Sequence, residues 1–158
     1  MDAQEAFAQV KLLESENTFV TKLEVVTLLE KYGIPLEITT RLLSLWDVSK
    51  EIGSKLVNIG KLIIFRIVEF IQRNPNMAIG MALGACLGAL VNLVPFIGPL
   101  LSPIATAVMA FYGAVIGHSL DLQSNTSNIF AIAIDAAKEF FQLIVDIILT
   151  LKISFEEN

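Results

Sequence analysis

Residues 74–120 read NPNMAIGMALGACLGALVNLVPFIGPLLSPIATAVMAFYGAVIGHSL and contain no Asp, Glu, Lys or Arg, a 47-residue gap in the charge pattern of a 158-residue chain. Two helices of about 20 residues and a tight turn of about six fill such a length, and a helix of that size spans a bilayer core of roughly 30 Å. Proline marks where the turn falls. Pro95, Pro99 and Pro103, with Gly98 among them, interrupt the helical pattern, because proline lacks an N–H and its ring clashes with the preceding turn. The stretch is expected to form a transmembrane helical hairpin over 77–118, with arms at 77–95 and 100–118.

The residues on either side say which way such a hairpin points. Residues 1–49 carry a net charge of -4, residues 50–73 a net charge of +3, and residues 121–158 a net charge of -4. The one basic surplus lies directly before the hairpin, and a Lys/Arg excess flanks membrane spans on the cytoplasmic side. An even number of crossings then leaves both termini cytoplasmic. The first twenty residues include Asp2, Glu5, Glu14 and Glu16 and no continuous apolar run, which does not fit a secretory leader.

Composition narrows the class further. Hydrophobic residues make up 54% of the chain and charged residues 17%, against roughly a quarter charged in an ordinary soluble domain. This excludes a disordered chain, and the net charge of -5 argues against a nucleic-acid partner. A single cysteine, Cys86, excludes a disulfide scaffold and, among small apolar neighbours, reads as a reduced packing residue.

Helical periodicity covers the flanks. Residues 3–14, 19–31 and 36–46 place apolar side chains at helical spacing, and Gly33 followed by Pro35 reads as a stop and a restart. These three helices form a small module over 1–47, one suited to docking a protein partner. The membrane-associated remainder, 48–158, starts with a helix over 48–73 that ends at Asn74-Pro75. Its polar face carries Lys55, Lys61, Arg66 and Arg73, so it fits either a soluble core or an anionic bilayer surface. A last helix over 128–153 is apolar except for a stripe of Asp135, Lys138, Glu139, Gln142 and Asp146. The fold class is therefore all-α, with amphipathic helices around a central uncharged hairpin.

Small residues recur within that hairpin. Gly80, Gly84 and Gly88 are four apart, Ala110 and Ala114 repeat the interval after Thr106, and Gly113 and Gly117 share it. Small residues at this spacing let helix backbones approach closely. The run packs either the two arms of one hairpin together or one subunit against another. An uncharged hairpin flanked by amphipathic helices over roughly 48–153, with Gly80, Gly84, Gly88 and the turn Pro95-Phe96-Ile97-Gly98-Pro99, resembles the pore-forming colicins and the glycine-zipper membrane-hairpin proteins. That resemblance implies a helical bundle able to place its hairpin in a bilayer.

Catalytic chemistry is not legible. The one histidine, His118, has no partner set for nucleophilic or metal chemistry, no glycine-rich loop opens a βαβ unit, and no enzyme activity, metal or cofactor is expected. The expectation is a homo-oligomeric membrane protein forming a pore, in which Asp135, Lys138, Gln142 and Asp146 face water in a conduit. The alternatives are a hairpin-anchored scaffold, and a soluble bundle that stores the hairpin until triggered.

Overall fold

The computed structural model describes residues 1–16, 21–121 and 125–155, the side chains at 114–121 and 125–129 excepted. Among these it contains seven α-helices: α1 (Ala3–Glu16), α2 (Lys22–Lys31), α3 (Leu36–Leu43), α4 (Ile59–Arg73), α5 (Ile79–Leu93), α6 (Gly98–Asp121) and α7 (Asn125–Thr150). The all-α expectation holds, with one addition, a two-stranded antiparallel ribbon of β1 (Lys50–Ile52) and β2 (Lys55–Val57).

That ribbon corrects the helix expected over 48–73. Ile52 pairs with Lys55, leaving Gly53 and Ser54 as a two-residue loop, and Gly53 has φ +64, as the first loop position of a II′ hairpin requires. A periodic spacing of polar residues across 51–58 therefore belongs to a strand pair and not to a helix. The helix begins only after Asn58, whose side chain accepts a hydrogen bond from the Lys61 N–H at 3.4 Å. Its entry is fixed by a close backbone crossing. The Gly60 N–H donates to the Val48 carbonyl at 3.0 Å, and a Cβ at Gly60 would fall onto the Leu45 carbonyl oxygen.

Elsewhere the punctuation works as read. α2 ends with Gly33 at φ +76, and Pro35 precedes α3. α4 ends at Arg73 before Pro75. α3 is shorter than expected, because Ser44 to Asp47 form turns that bring Leu45 over Gly60. Trp46 is buried there, edge-on to Phe65 at 5.8 Å.

α5 sits at the centre, packed against α7, α6 and α4. Its residues Ala82, Leu83, Ala85, Cys86, Ala89 and Leu90 are at most 1% exposed. α4 is buried on more than one side as well, through Leu62, Ile63, Ile64, Phe65, Ile67, Val68, Phe70 and Ile71. The module over 1–47 adds to the same cluster: α1 packs on α7 and α3 on α6, burying Ala6, Val10, Ile38 and Leu42. Arg41 of α3 donates from Nη1 to the Pro103 carbonyl of α6 at 3.2 Å.

α7 spans Asn125–Thr150 rather than 128–153, and its end explains the difference. The Ile153 N–H bonds the Ile148 carbonyl at 3.0 Å and the Lys152 N–H bonds the Leu149 carbonyl at 3.3 Å, with Lys152 left-handed at φ +54. This is a Schellman end, and Ile148 and Ile153, the positions whose side chains meet in that motif, are both buried. Beyond it Phe155 stacks on Phe96 at 6.1 Å.

Two substitutions test these ends. Gly60→Ala should cost about 3 kcal/mol or more in urea denaturation, because the obstructing atom is backbone and cannot rotate away. Lys152→Gly should add about 1 kcal/mol and raise Tm by relieving the left-handed lysine.

Candidate functional site

The hairpin is present as α5 and α6, but its proportions differ from expectation. α5 has 15 residues, about 22 Å at 1.5 Å per residue, shorter than the roughly 30 Å of a bilayer core. Among the described residues one helix, over Pro95–Gly113, is long and apolar enough to cross a membrane. The second arm starts earlier than expected. The turn is carried by Val94 and a 3-10 segment, Pro95–Ile97, while Gly98 already has helical angles of φ -48 and ψ -51. Pro99 and Pro103 both lie within α6. Pro103 forgoes the bond to the Pro99 carbonyl without ending the helix.

The glycine run is filled from within the chain. A Cβ at Gly80 would lie 2.6–2.8 Å from Tyr112 of α6, and one at Gly88 would lie 3.6 Å from Ile134 of α7. Gly84 is half-buried. Gly80 and Gly88 thus serve α5–α6 and α5–α7 packing, and of these two Gly80 is the one without room for a Cβ. On α6, Ala110 is exposed and Gly113 half-buried, with the Met109 methyl nearby. Ala114 and Gly117 belong to the helix, but their side chains, like that of His118, lie outside the described residues.

The four flanking basic residues are each engaged. Lys55 Nζ lies 4.5 Å from the Phe7 ring centre and Lys61 Nζ 4.8 Å from that of Trp46. Arg66 and Arg73 both lie over Phe140, at 4.5 and 5.4 Å, and both hold Glu69, at 3.0 and 2.8 Å. Their positions are α4 and the ribbon, not a free basic helix face. The expected conduit residues occupy the outer side of α7: Asp135 and Gln142 are exposed, Lys138 and Asp146 half-buried. Gln142 donates to Asp146 Oδ1 at 2.8 Å.

What the sequence did not disclose is the open side of α6. Leu101, Ile104, Ala107 and Val108 are buried, whereas Pro99, Ser102, Pro103, Thr106, Met109 and Ala110 are exposed. The exposed positions follow a three-and-four spacing, so they form one stripe, and none is charged. The Thr106 hydroxyl donates back to the Ser102 carbonyl at 2.9 Å, which satisfies it within the helix. Phe111 beside the stripe is 50% exposed and Met109 54%. An all-apolar segment shows no periodicity, so its wet and dry sides could not be told apart from residue types alone.

No group of three or more His, Cys, Asp or Glu able to hold a metal occurs among the described residues. Cys86 is fully buried, and a thiol reagent should leave it unlabelled until the bundle unfolds. The glycines should separate in denaturation. Gly88→Ala should stabilise by about 0.5–1 kcal/mol, as a helix-interior glycine gives way to alanine with room to spare. Gly80→Ala should destabilise by about 1–3 kcal/mol through displacement of Tyr112. In comparisons with known proteins, the chain matches no protein-family model, no curated protein and no solved structure.

Proposed function

We propose that this is a non-enzymatic membrane-binding helical bundle that meets a bilayer through the open stripe of α6 and delivers the α5–α6 hairpin into it. The observation that carries the reading is the stripe itself. From Pro99 to Ala110 a helix face turned outward from the bundle carries no charge over three turns, and its threonine hydroxyl bonds its own backbone. A face in water usually carries charged side chains, and a lipid face requires polar groups to be satisfied internally. The buried α5 supports storage of the hairpin in a closed form, the arrangement that a colicin-like resemblance implies. Inserted, the hairpin crosses twice with the aid of residues flanking α5 and leaves both termini on the cytoplasmic side, the side of the basic surplus at 50–73.

A second reading adds assembly. Thr106 and Ala110, four apart and both exposed, allow a close approach of a second copy through small residues. In that form the hairpins line a pore, and the outer polar edge of α7 borders its water.

Vesicle flotation tests the first reading and dye release the second. Wild-type protein should float with anionic vesicles, and Ala110→Lys should lower the bound fraction at least about tenfold with Tm unchanged, since a lysine in the apolar layer costs about 2.5–3.5 kcal/mol. Wild-type protein left in the dense fraction at every lipid ratio, or a variant that floats equally well, overturns the proposal. Release of trapped dye by crosslinkable oligomers supports the pore, and full binding without release removes it.

A further inference from the structure

A groove of about 440 Å³ lies between α1, α4 and α7, apart from the α6 stripe. Its volume falls within the range of small-molecule sites. Its α4 wall runs from Leu62 to Arg73, about 16 Å along the helix axis, so an occupant is elongated. Polarity is ordered along that wall. Leu62 and Phe65 come first, then Arg66, Glu69 and Arg73, while Leu13 of α1 and Ile144 of α7 extend the apolar part.

The charged end has an excess of cation. Arg66 and Arg73 share one carboxylate, Glu69, so the three groups together carry one net positive charge. The Arg66 side chain is only 19% exposed, and among the described residues its buried Nε has no hydrogen-bond partner. A buried donor left unpaired is unfavourable, and the two guanidiniums face one carboxylate between them. Glu16 also lines the groove, but among the described residues it forms no ion pair with Arg66 or Arg73, which hold Glu69. At the apolar part, Leu12 is 50% exposed on the rim.

We propose that this groove binds a medium-chain fatty carboxylate, with the head group at Arg66 and Arg73 and the alkyl chain along Leu13, Leu62, Phe65 and Ile144. A carboxylate supplies a second anion, and an extended alkyl chain matches the length and dryness of the rest. The site is independent of membrane binding through α6.

Trp46, the one tryptophan, packs edge-on to the groove residue Phe65 and reports occupancy by its fluorescence. Titration of the full chain with decanoate and with decanol compares equal chains with and without the charge. Decanoate should bind about tenfold more tightly than decanol. Arg73→Gln, at a side chain 65% exposed, should abolish that preference while leaving Tm unchanged. Ala110→Lys should leave decanoate binding intact, and Arg73→Gln should leave flotation intact, so the two proposals fail separately. Equal affinities for acid and alcohol, absence of binding by both, or a preference that survives Arg73→Gln overturns the assignment. Arg73-dependent binding to anionic vesicles but not to free decanoate would assign the cluster to a bilayer surface instead and would equally overturn it.

Discussion

The structure depends on the need to cover α5. A helix of 15 residues without a charge, built from glycine, alanine and leucine around Cys86, offers water little to bind before Asn92 near its exposed end. It is therefore surrounded, by α4, α6 and α7. Small side chains make the enclosure close: Tyr112 occupies the space over Gly80, and Ile134 approaches Gly88. Burial of apolar area at roughly 25 cal/mol per Å² is the driving force, and glycine in a helix interior is tolerated because it lets the neighbouring helices reach that area.

Covering α5 leaves α6 only partly covered. α3 reaches one side of it, with Arg41 bonded to the Pro103 carbonyl, and α5 and α7 take the other. What remains is a face that is uncharged yet open. The bundle thus separates two tasks that the uncharged segment combines in sequence: α5 holds the interior together, and α6 supplies an outward surface. The basic side chains of α4 are engaged elsewhere. Lys61 is over Trp46, and Arg66 and Arg73 are over Phe140.

The sequence made the helices legible where punctuation was strong. Gly33, Pro35, Asn74-Pro75 and the proline-rich turn all mark real boundaries. It misled at 48–58, where polar residues three or four apart imitate a helix and only Gly53 betrays the ribbon. Helix length was overestimated for α5 because Ala78 and Val94 continue its composition but leave helical backbone angles, with ψ 140 at Ala78 and φ -128, ψ 84 at Val94. Of the site residues, Gly80 and Gly88 could be recognised as packing positions, but their partners could not, since Tyr112 and Ile134 are distant in sequence. The same holds for the groove on α4: Arg66 and Arg73 are visible as charges, whereas the aromatic ring and carboxylate that hold them depend on tertiary structure and helix register.

The stacking of Phe155 on Phe96 joins the end of α7 to the tip of the hairpin. Lys152, Ile153 and Phe155 thus act as a strap across the turn that leads from α5 to α6. Moving the tip away from the bundle therefore requires the contact between Phe155 and Phe96 to break. The strap is also held below its full strength, because the left-handed lysine within it costs about 1 kcal/mol. The contact between the end of α7 and the hairpin tip is thus held by a segment that carries its own backbone strain.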